Sequence, residues 1–335
     1  MPDTSAAAGR LALTIAISDY DHVRDFASGV VCARGIETNF LTLPIEEIFF
    51  RFTKFREWHV SEMSLAKYAA LRASDESSLS AIPVFPSRVF RHSSIYVRAD
   101  GPVRAPADLK GRKVGLPEWA QTAAVWSRGA LMHQYGLALQ DIDWVQAGVN
   151  EPGRAEKVAL ALPEGVRLTP VPDRSLDAML LSGELDAVLT AHPPASFERG
   201  DPRVRRLFGD YRVVEEAYFH DTGIFPIMHV VAIKSDLLAE HPWVAMNLFQ
   251  AFEEAKRRSV ARALEVTATR FPVPWIYDSA AKTEAQFGEL FPYGIEPNRK
   301  TLEAFLQYAA EQGVCRRKLA VEELFPETVA MRFKV

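Results

Sequence analysis

Apolar positions near the start of the chain recur with a period of two. Leu11, Leu13, Ile15 and Ile17 alternate with Ala12, Thr14 and Ala16. Neither face of that run is strongly polar, which suits a strand covered on both sides. The pattern then predicts a helix over residues 25–34 ahead of Gly35 and a second strand over residues 36–43. Pro44-Ile45-Glu46-Glu47 opens another helix, with proline in its first turn and acids at its positive end. Val60 to Ser64 leads into a helix through Tyr68 to Arg72, with Glu62-Met63-Ser64 read as its opening. Strands that alternate with helices build βαβ units and a largely parallel sheet.

Gly101, Pro102 and Pro106 mark residues 98–106 as a connection, after which a second βα series begins. It comprises a strand over Lys113–Leu116, a helix over residues 121–135 stopped by Gly136, a helix over Leu176–Ser182 stopped by Gly183, and a strand over residues 186–191. Val230 to Ile233 reads as a strand returning to the first series. Beyond it, Leu248, Ala251, Phe252 and Ala255 follow helical spacing, as do Leu302, Phe305, Leu306 and Ala309. The expected architecture is two α/β lobes, one formed by residues 10–97 with 217–335 and the other inserted as residues 98–216. A length of 335 residues fits two such units. The cleft between them is where folds of this kind take small molecules.

Composition narrows the function classes. Lys and Arg total 39 against 43 Asp and Glu, so no bulk positive surface points to nucleic acid. No apolar run approaches the ~20 residues that cross a bilayer. Leu11–Ile17 is short for a secretory core, Asp3 lies upstream, and Ser18-Asp19-Tyr20-Asp21 follows in place of small cleavage-site residues. The expectation is a cytoplasmic protein. Cys32 and Cys315 cannot build a disulfide framework or a cysteine-only zinc site. The histidines show no HExxH or HxH spacing, and Walker A, GxGxxG and GxSxG patterns are absent.

The segment richest in chemistry is residues 82–94. Arg88 and Arg91 present planar forks that suit carboxylates, with His92 as a proton carrier and Ser93 as a hydroxyl beside them. Gln121 and Thr122 sit where a strand gives way to a helix, so side-chain donors join free backbone N–H groups. Asp19 and Tyr20 follow the first strand, Glu62 and Ser64 precede a helix, His192 precedes two prolines, and His229 precedes the return strand. Each has a plain structural alternative: a surface ion pair for an arginine, a cap for an acid, a satisfied core position for a histidine.

Pro83-Val84-Phe85-Pro86-Ser87-Arg88, Phe90-Arg91-His92-Ser93 and the run Asp108 to Gly115 resemble the 4,5-dihydroxyphthalate decarboxylase family. So do Thr122-Ala123-Ala124-Val125-Trp126, Gly183-Glu184-Leu185-Asp186-Ala187 and Pro292-Tyr293-Gly294-Ile295. The likeness spans roughly Leu11 to Gly313. It implies a cytoplasmic homo-oligomeric enzyme on a type 2 periplasmic-binding-protein-like fold, with mixed, mainly parallel sheets. Its implied substrate is a small aromatic dicarboxylate, with neither nucleic acid nor membrane as partner.

Loss of CO2 from such a ring proceeds when a para hydroxyl gives up its proton and an acid protonates the carbon that bears the carboxylate. No organic cofactor is required, and a divalent metal requirement is left open. The residue chemistry nominates Arg88 and Arg91 as the anion clamp, with Gln121 and Thr122 at the second anionic end. His92 or Glu62 would be the base and His192 or His229 the proton donor, while Asp19, Tyr20, Ser64 and Ser93 would contact the ring substituents. Lobe closure would desolvate the site. Two other readings fit the same residues: a non-catalytic cytoplasmic solute-binding or sensor protein, and a lyase for another hydroxylated aromatic acid.

Overall fold

In the computed structural model of the chain, residues 9–330 are described, apart from the side chain of Ala330. The alternating run at Leu11–Ile17 is β1, with Leu13, Ile15, Ala16 and Ile17 buried. It lies between β2 (Ile36–Thr42) and β3 (Val60–Ser64), parallel to both. With β4 (Leu79–Ile82) and the return strand they form a five-stranded sheet.

The second sheet has six strands. They are β5 (Ile95–Arg98), β6 (Lys113–Leu116), β7 (Asp143–Gly148), β8 (Arg167–Ser175), β9 (Ala187–Leu189) and β10 (Val204–Arg206). The chain then returns as β11 (His229–Lys234), antiparallel to both β3 and β4. In the second sheet β5 is likewise reversed against β9 and β10. Each sheet is therefore parallel except for the strand by which the chain enters it from the other lobe. This is the two-lobed α/β fold that the patterning predicts.

Three local expectations are corrected. The first helix spans Asp21–Ala27 and does not reach Arg34, because Gly29 takes φ +77° and Val31 N–H turns back to Asp25 O. Glu62 sits in the middle of β3, and the helix after it is Leu65–Ala73. Because β5 already belongs to the second sheet, the crossover is residues 83–94; the Gly101–Pro106 stretch lies inside the second lobe. That crossover runs antiparallel beside residues 226–228. Val89 N–H bonds Pro226 O at 3.2 Å, and Met228 N–H bonds Ser87 O at 2.8 Å.

The helical C-terminal third does more than cover the first sheet. Helix Trp243–Ala263 packs on Asp21–Ala27 through an edge-on Phe26–Phe252 contact, and its Arg258 and Arg262 clasp the Asp25 carboxylate. Helix Arg299–Glu311 touches Leu65–Ala73 in one lobe and Thr122–His133 in the other. Gly129 permits the second contact, since a Cβ there would lie 2.2 Å from the Tyr308 ring. The two lobes are strapped together along this side.

Candidate active site

The carboxyl ends of the parallel strands in both sheets meet at one place, which a doubly wound fold leaves open for ligands. β1 delivers Ser18 and Tyr20, β3 delivers Ser64, and β6 delivers Gln121 and Thr122. β9 delivers His192, and the reversed β11 begins there with His229. Together with the crossover they enclose a cavity of about 370 Å³. That is the size range of small-molecule sites.

At the first-lobe wall, Glu62 is fully buried on β3. Its carboxylate accepts from Ser18 N–H at 3.0 Å, from the Tyr20 hydroxyl at 2.7 Å and from His229 Nδ1 at 2.6 Å. The sheet register brings this about, for His229 pairs with Ser64 and Val231 with Glu62. In a neutral imidazole that gives Nδ1–H to the carboxylate the lone pair lies on Nε2, a nitrogen that no side chain among the described residues engages. Burial, then the adjacent Glu62 carboxylate, raise the Tyr20 hydroxyl well above the ordinary phenol range, so it stays a neutral donor. Phe49 meets the His229 ring edge-on, with ring centres 4.9 Å apart.

Positive charge comes from the crossover and the second lobe. Arg91 lines the cavity, yet no carboxylate lies within ion-pair distance among the described residues. Its contacts are Met228 Sδ at 3.2 Å and Ser94 Oγ at 3.4 Å. Burial lowers its guanidinium to about 10, which leaves it charged at neutral pH. A half-buried cation with so few oxygen partners is suited to completion by an anion.

A second cationic group surrounds Glu118, which is 1% exposed. Lys67 reaches one carboxylate oxygen at 3.0 Å, while Arg154 at 2.7 Å and Lys157 at 3.4 Å reach the other. Burial would raise the Glu118 carboxyl, but Lys67, Arg154 and Lys157 outweigh it and hold it below the usual range. Lys67 and Arg154 also line the cavity. Ser64 Oγ meets Thr122 Oγ1 at 2.9 Å, joining the lobes at the floor, and the buried Gln121 Oε1 has no partner.

Not every nominated residue reaches this cavity. In the extended crossover, side chains alternate: Ser87 and Arg91 face the cleft, whereas Arg88 and Phe90 face away. Arg88 is corrected from clamp to structural tie, donating to Asn298 Oδ1 at 2.7 Å, Phe225 O at 2.7 Å and Pro292 O at 3.1 Å. His92 turns into a nest of Tyr135, Phe208 and Tyr218 rings, with Nε2 on Gln134 Oε1 at 2.7 Å. Ser93 gives its N–H to Glu215 outside the cleft, and Asp19 points to solvent.

His192 is at the rim, half in solvent, on Glu46 Oε1 at 2.9 Å. Arg88, Phe90 and Ser93 line a second cavity of about 420 Å³ on the outer side of the crossover. It is the larger of the two, but its Glu215 and Glu289 are already engaged by Ser93 N–H and Lys256, and it has no histidine. The smaller one is where Lys67, Arg91, Arg154, His192 and His229 meet.

The sequence reading missed Lys67, Glu118 and Arg154. Lys67 is a lysine in the first turn of a helix that is otherwise mostly apolar, which was the available signal, and the structure buries it. Arg154 lies in residues 149–166, an irregular stretch without periodicity. Among the described residues no cluster of three or more His, Cys, Asp or Glu is arranged to hold a metal, and no helix is long and apolar enough to cross a membrane.

Comparison with solved structures shows the scaffold. The periplasmic aliphatic sulphonate binding protein SsuA from Escherichia coli superposes with a TM-score of 0.53 at 14% identity, covering 96% of this chain and 99% of that one. The desulfurization enzyme DSZB gives 0.52 at 17% identity, covering 96% and 98%. No family model matches the chain. Among curated proteins, the 4,5-dihydroxyphthalate decarboxylase of Comamonas testosteroni is 38% identical over 328 residues, 97% of this chain and 99% of the relative. That of Pseudomonas putida is 42% identical over 202 residues, 60% of this chain and 78% of the relative. With near-complete overlap at that identity, the chain belongs to the 4,5-dihydroxyphthalate decarboxylase family.

Proposed function

We infer that the protein converts 4,5-dihydroxyphthalate to 3,4-dihydroxybenzoate and CO2 in the cleft between its lobes. The observation that carries this reading is the pairing, in one cavity, of a half-buried Arg91 without a carboxylate partner and a His229 whose Nδ1 is locked to Glu62. Arg91 and Arg154 hold the carboxylate end of the ring, replacing water with planar forks. His229 Nε2 takes the proton of the hydroxyl para to the departing group, and Glu62 stabilises the imidazolium that results. Electron density released by the phenolate reaches the carbon that bears the carboxylate, where a proton is added. The C–C bond then breaks, its electron pair restores the aromatic ring, and CO2 leaves. A positioned base of this kind contributes ~10²–10⁴-fold. The leaving carboxylate loses its charge in this step, so the strong cation contacts belong on the retained one.

The discontinuous lobe carrying Glu62 and His229 and the inserted lobe carrying Gln121 and Arg154 each supply one wall. We also read the protein as a cytoplasmic homo-oligomer. Leu11–Ile17, weighed above as a secretory core, is a strand inside the sheet, and the exposed apolar side chains of Val266, Val273 and Trp275 suit contact with a second copy.

The test is direct. Purified protein is incubated with 4,5-dihydroxyphthalate, and CO2 and 3,4-dihydroxybenzoate are measured together; the expected result is equimolar release. Saturable binding without CO2 would establish a solute-binding protein instead. Turnover of only other hydroxylated aromatic acids would move the substrate and keep the chemistry.

A further inference from the structure

The carbon that loses CO2 must first gain a proton, and the cleft contains few groups able to give one. His229 already serves as the base in the reading above, through its Nε2. His192 is half in solvent at the rim and tied to Glu46. The Tyr20 hydroxyl is committed to Glu62. Arg91 keeps its proton throughout the neutral range, and Arg154 is tied to Glu118 at 2.7 Å.

Lys67 remains. It stands in the first turn of helix Leu65–Ala73, three residues after the Ser64 that pairs with His229, and lines the same cavity while only 7% of its side chain is exposed. Its ammonium has three protons. Glu118 Oε2, 3.0 Å away, is the acceptor it faces among the described residues, in an ion pair that misses hydrogen-bond alignment. We propose that Lys67 is the acid that protonates the ring, held in place across the lobe boundary by Glu118. This assignment rests on the decarboxylase reading above.

The step balances. An N–H bond of Lys67 breaks as a C–H bond forms at the carboxylate-bearing carbon; after CO2 departs, the imidazolium of His229 returns its proton to the phenolate and the amine recovers one from water. Burial pulls Lys67 below the ordinary lysine range, against the opposing pull of Glu118, and so makes it a better acid than a surface lysine. Lys157 pushes the same way as burial and Glu156 pushes with Glu118, while Arg154 sits on the other oxygen of Glu118. Glu118 belongs to the second lobe and Lys67 to the first, so the acid is correctly placed only when the lobes meet.

Lys67→Arg keeps the charge but cannot release a proton at neutral pH. It should lower kcat by at least about 100-fold while KM stays within about threefold. Lys67→Ala should be partly rescued by added methylamine or ethylamine, with rates that track amine acidity. Wild-type turnover gives a readout that needs no variant to fold: kcat should slow at least about twofold in D2O and fall as pH rises through a point below the ordinary lysine value of about 10.4.

A Lys67→Arg enzyme with kcat within about threefold of wild type would overturn the assignment. So would wild-type turnover that is flat to about pH 10 and indifferent to D2O. In either case CO2 release by the wild type would leave the decarboxylase reading standing. Absence of CO2 release would remove both.

Discussion

Arg88 and Arg91 stand three residues apart in the crossover, the first buried and the second half-buried, and have opposite jobs. Burial lowers the first to about 9 and the second to about 10. Arg88 is surrounded by oxygens of its own chain, from Asn298, Phe225 and Pro292, and stacks over the Phe225 ring at 4.5 Å. Arg91 has a thioether and a hydroxyl. A buried cation that the fold has already solvated is part of the fold; one left short of oxygen is waiting for a ligand. The histidines repeat the lesson. His92 is closed in by aromatic rings and Gln134, with burial lowering its pKa, whereas His229 pairs with a carboxylate and offers its other nitrogen to the cavity.

The contrast can be broken most sharply at the histidines. His229→Gln should cost ~10²–10⁴-fold in kcat, whereas His92→Gln should keep kcat within about twofold across the pH profile and lose about 1 kcal/mol of stability. Equal losses in the two variants would erase the distinction.

The arginines come next. Arg91→Met should reduce kcat/KM by roughly 10- to 100-fold, the value of a charge-assisted contact of about 1.5–3 kcal/mol, with Tm little changed. Arg88→Met should show the reverse, KM near wild type and a Tm lower by roughly 5 °C, because three oxygens lose their donor at a cost of about 3 kcal/mol. Steady-state kinetics and thermal melts on the same preparations decide between them.

The smallest effect is at the rim. The hydrogen bond to His192 holds Glu46 down to about 2, and the same bond raises His192. A raised histidine contributes fully below its ordinary value of about 6.5 and loses that contribution as pH rises through its folded-state value. A depressed carboxyl contributes above about 4.5 and loses it as pH falls. The pair is therefore strongest between about pH 4.5 and 6.5, and since both side chains are more than half exposed it is worth less than about 1 kcal/mol. Wild type and His192→Gln should differ most in Tm within that window and converge at alkaline pH. A difference that grows with pH would contradict the pairing.

Much of the scaffold was legible. Period-two alternation marked Leu11–Ile17, and helical spacing marked the buried stripes of Trp243–Ala263 and Arg299–Glu311. Gly183 stopped a helix where expected, with φ +82°. Tyr20, Glu62, Ser64, Arg91, Gln121, Thr122, His192 and His229 do converge on one cleft or its immediate wall. Arg88 does not, because neighbours on an extended chain point to opposite sides, and His92 and Ser93 do not, because the chain turns into a 3-10 helix at His92–Ser94; Asp19 is exposed in the loop after β1. Lys67, Glu118 and Arg154 come together only in the fold, Arg154 reaching Glu118 from an irregular stretch of the same lobe and Lys67 from the other lobe.

The sequence alone marked the strongly patterned strands and helices, such as β1 and the stripes of Trp243–Ala263 and Arg299–Glu311, and that there are two α/β lobes; β4, β5, β7, β8 and β10 carried no such pattern. Periodicity and turn chemistry are local, so they survive without a fold. Which carboxylate holds which histidine, which arginine is left without oxygen, and how Lys67 meets Glu118 were decided by strand register and by the meeting of the two lobes. Those contacts join residues up to 167 positions apart, as in His229 and Glu62, and only a packed interior brings them within hydrogen-bond reach.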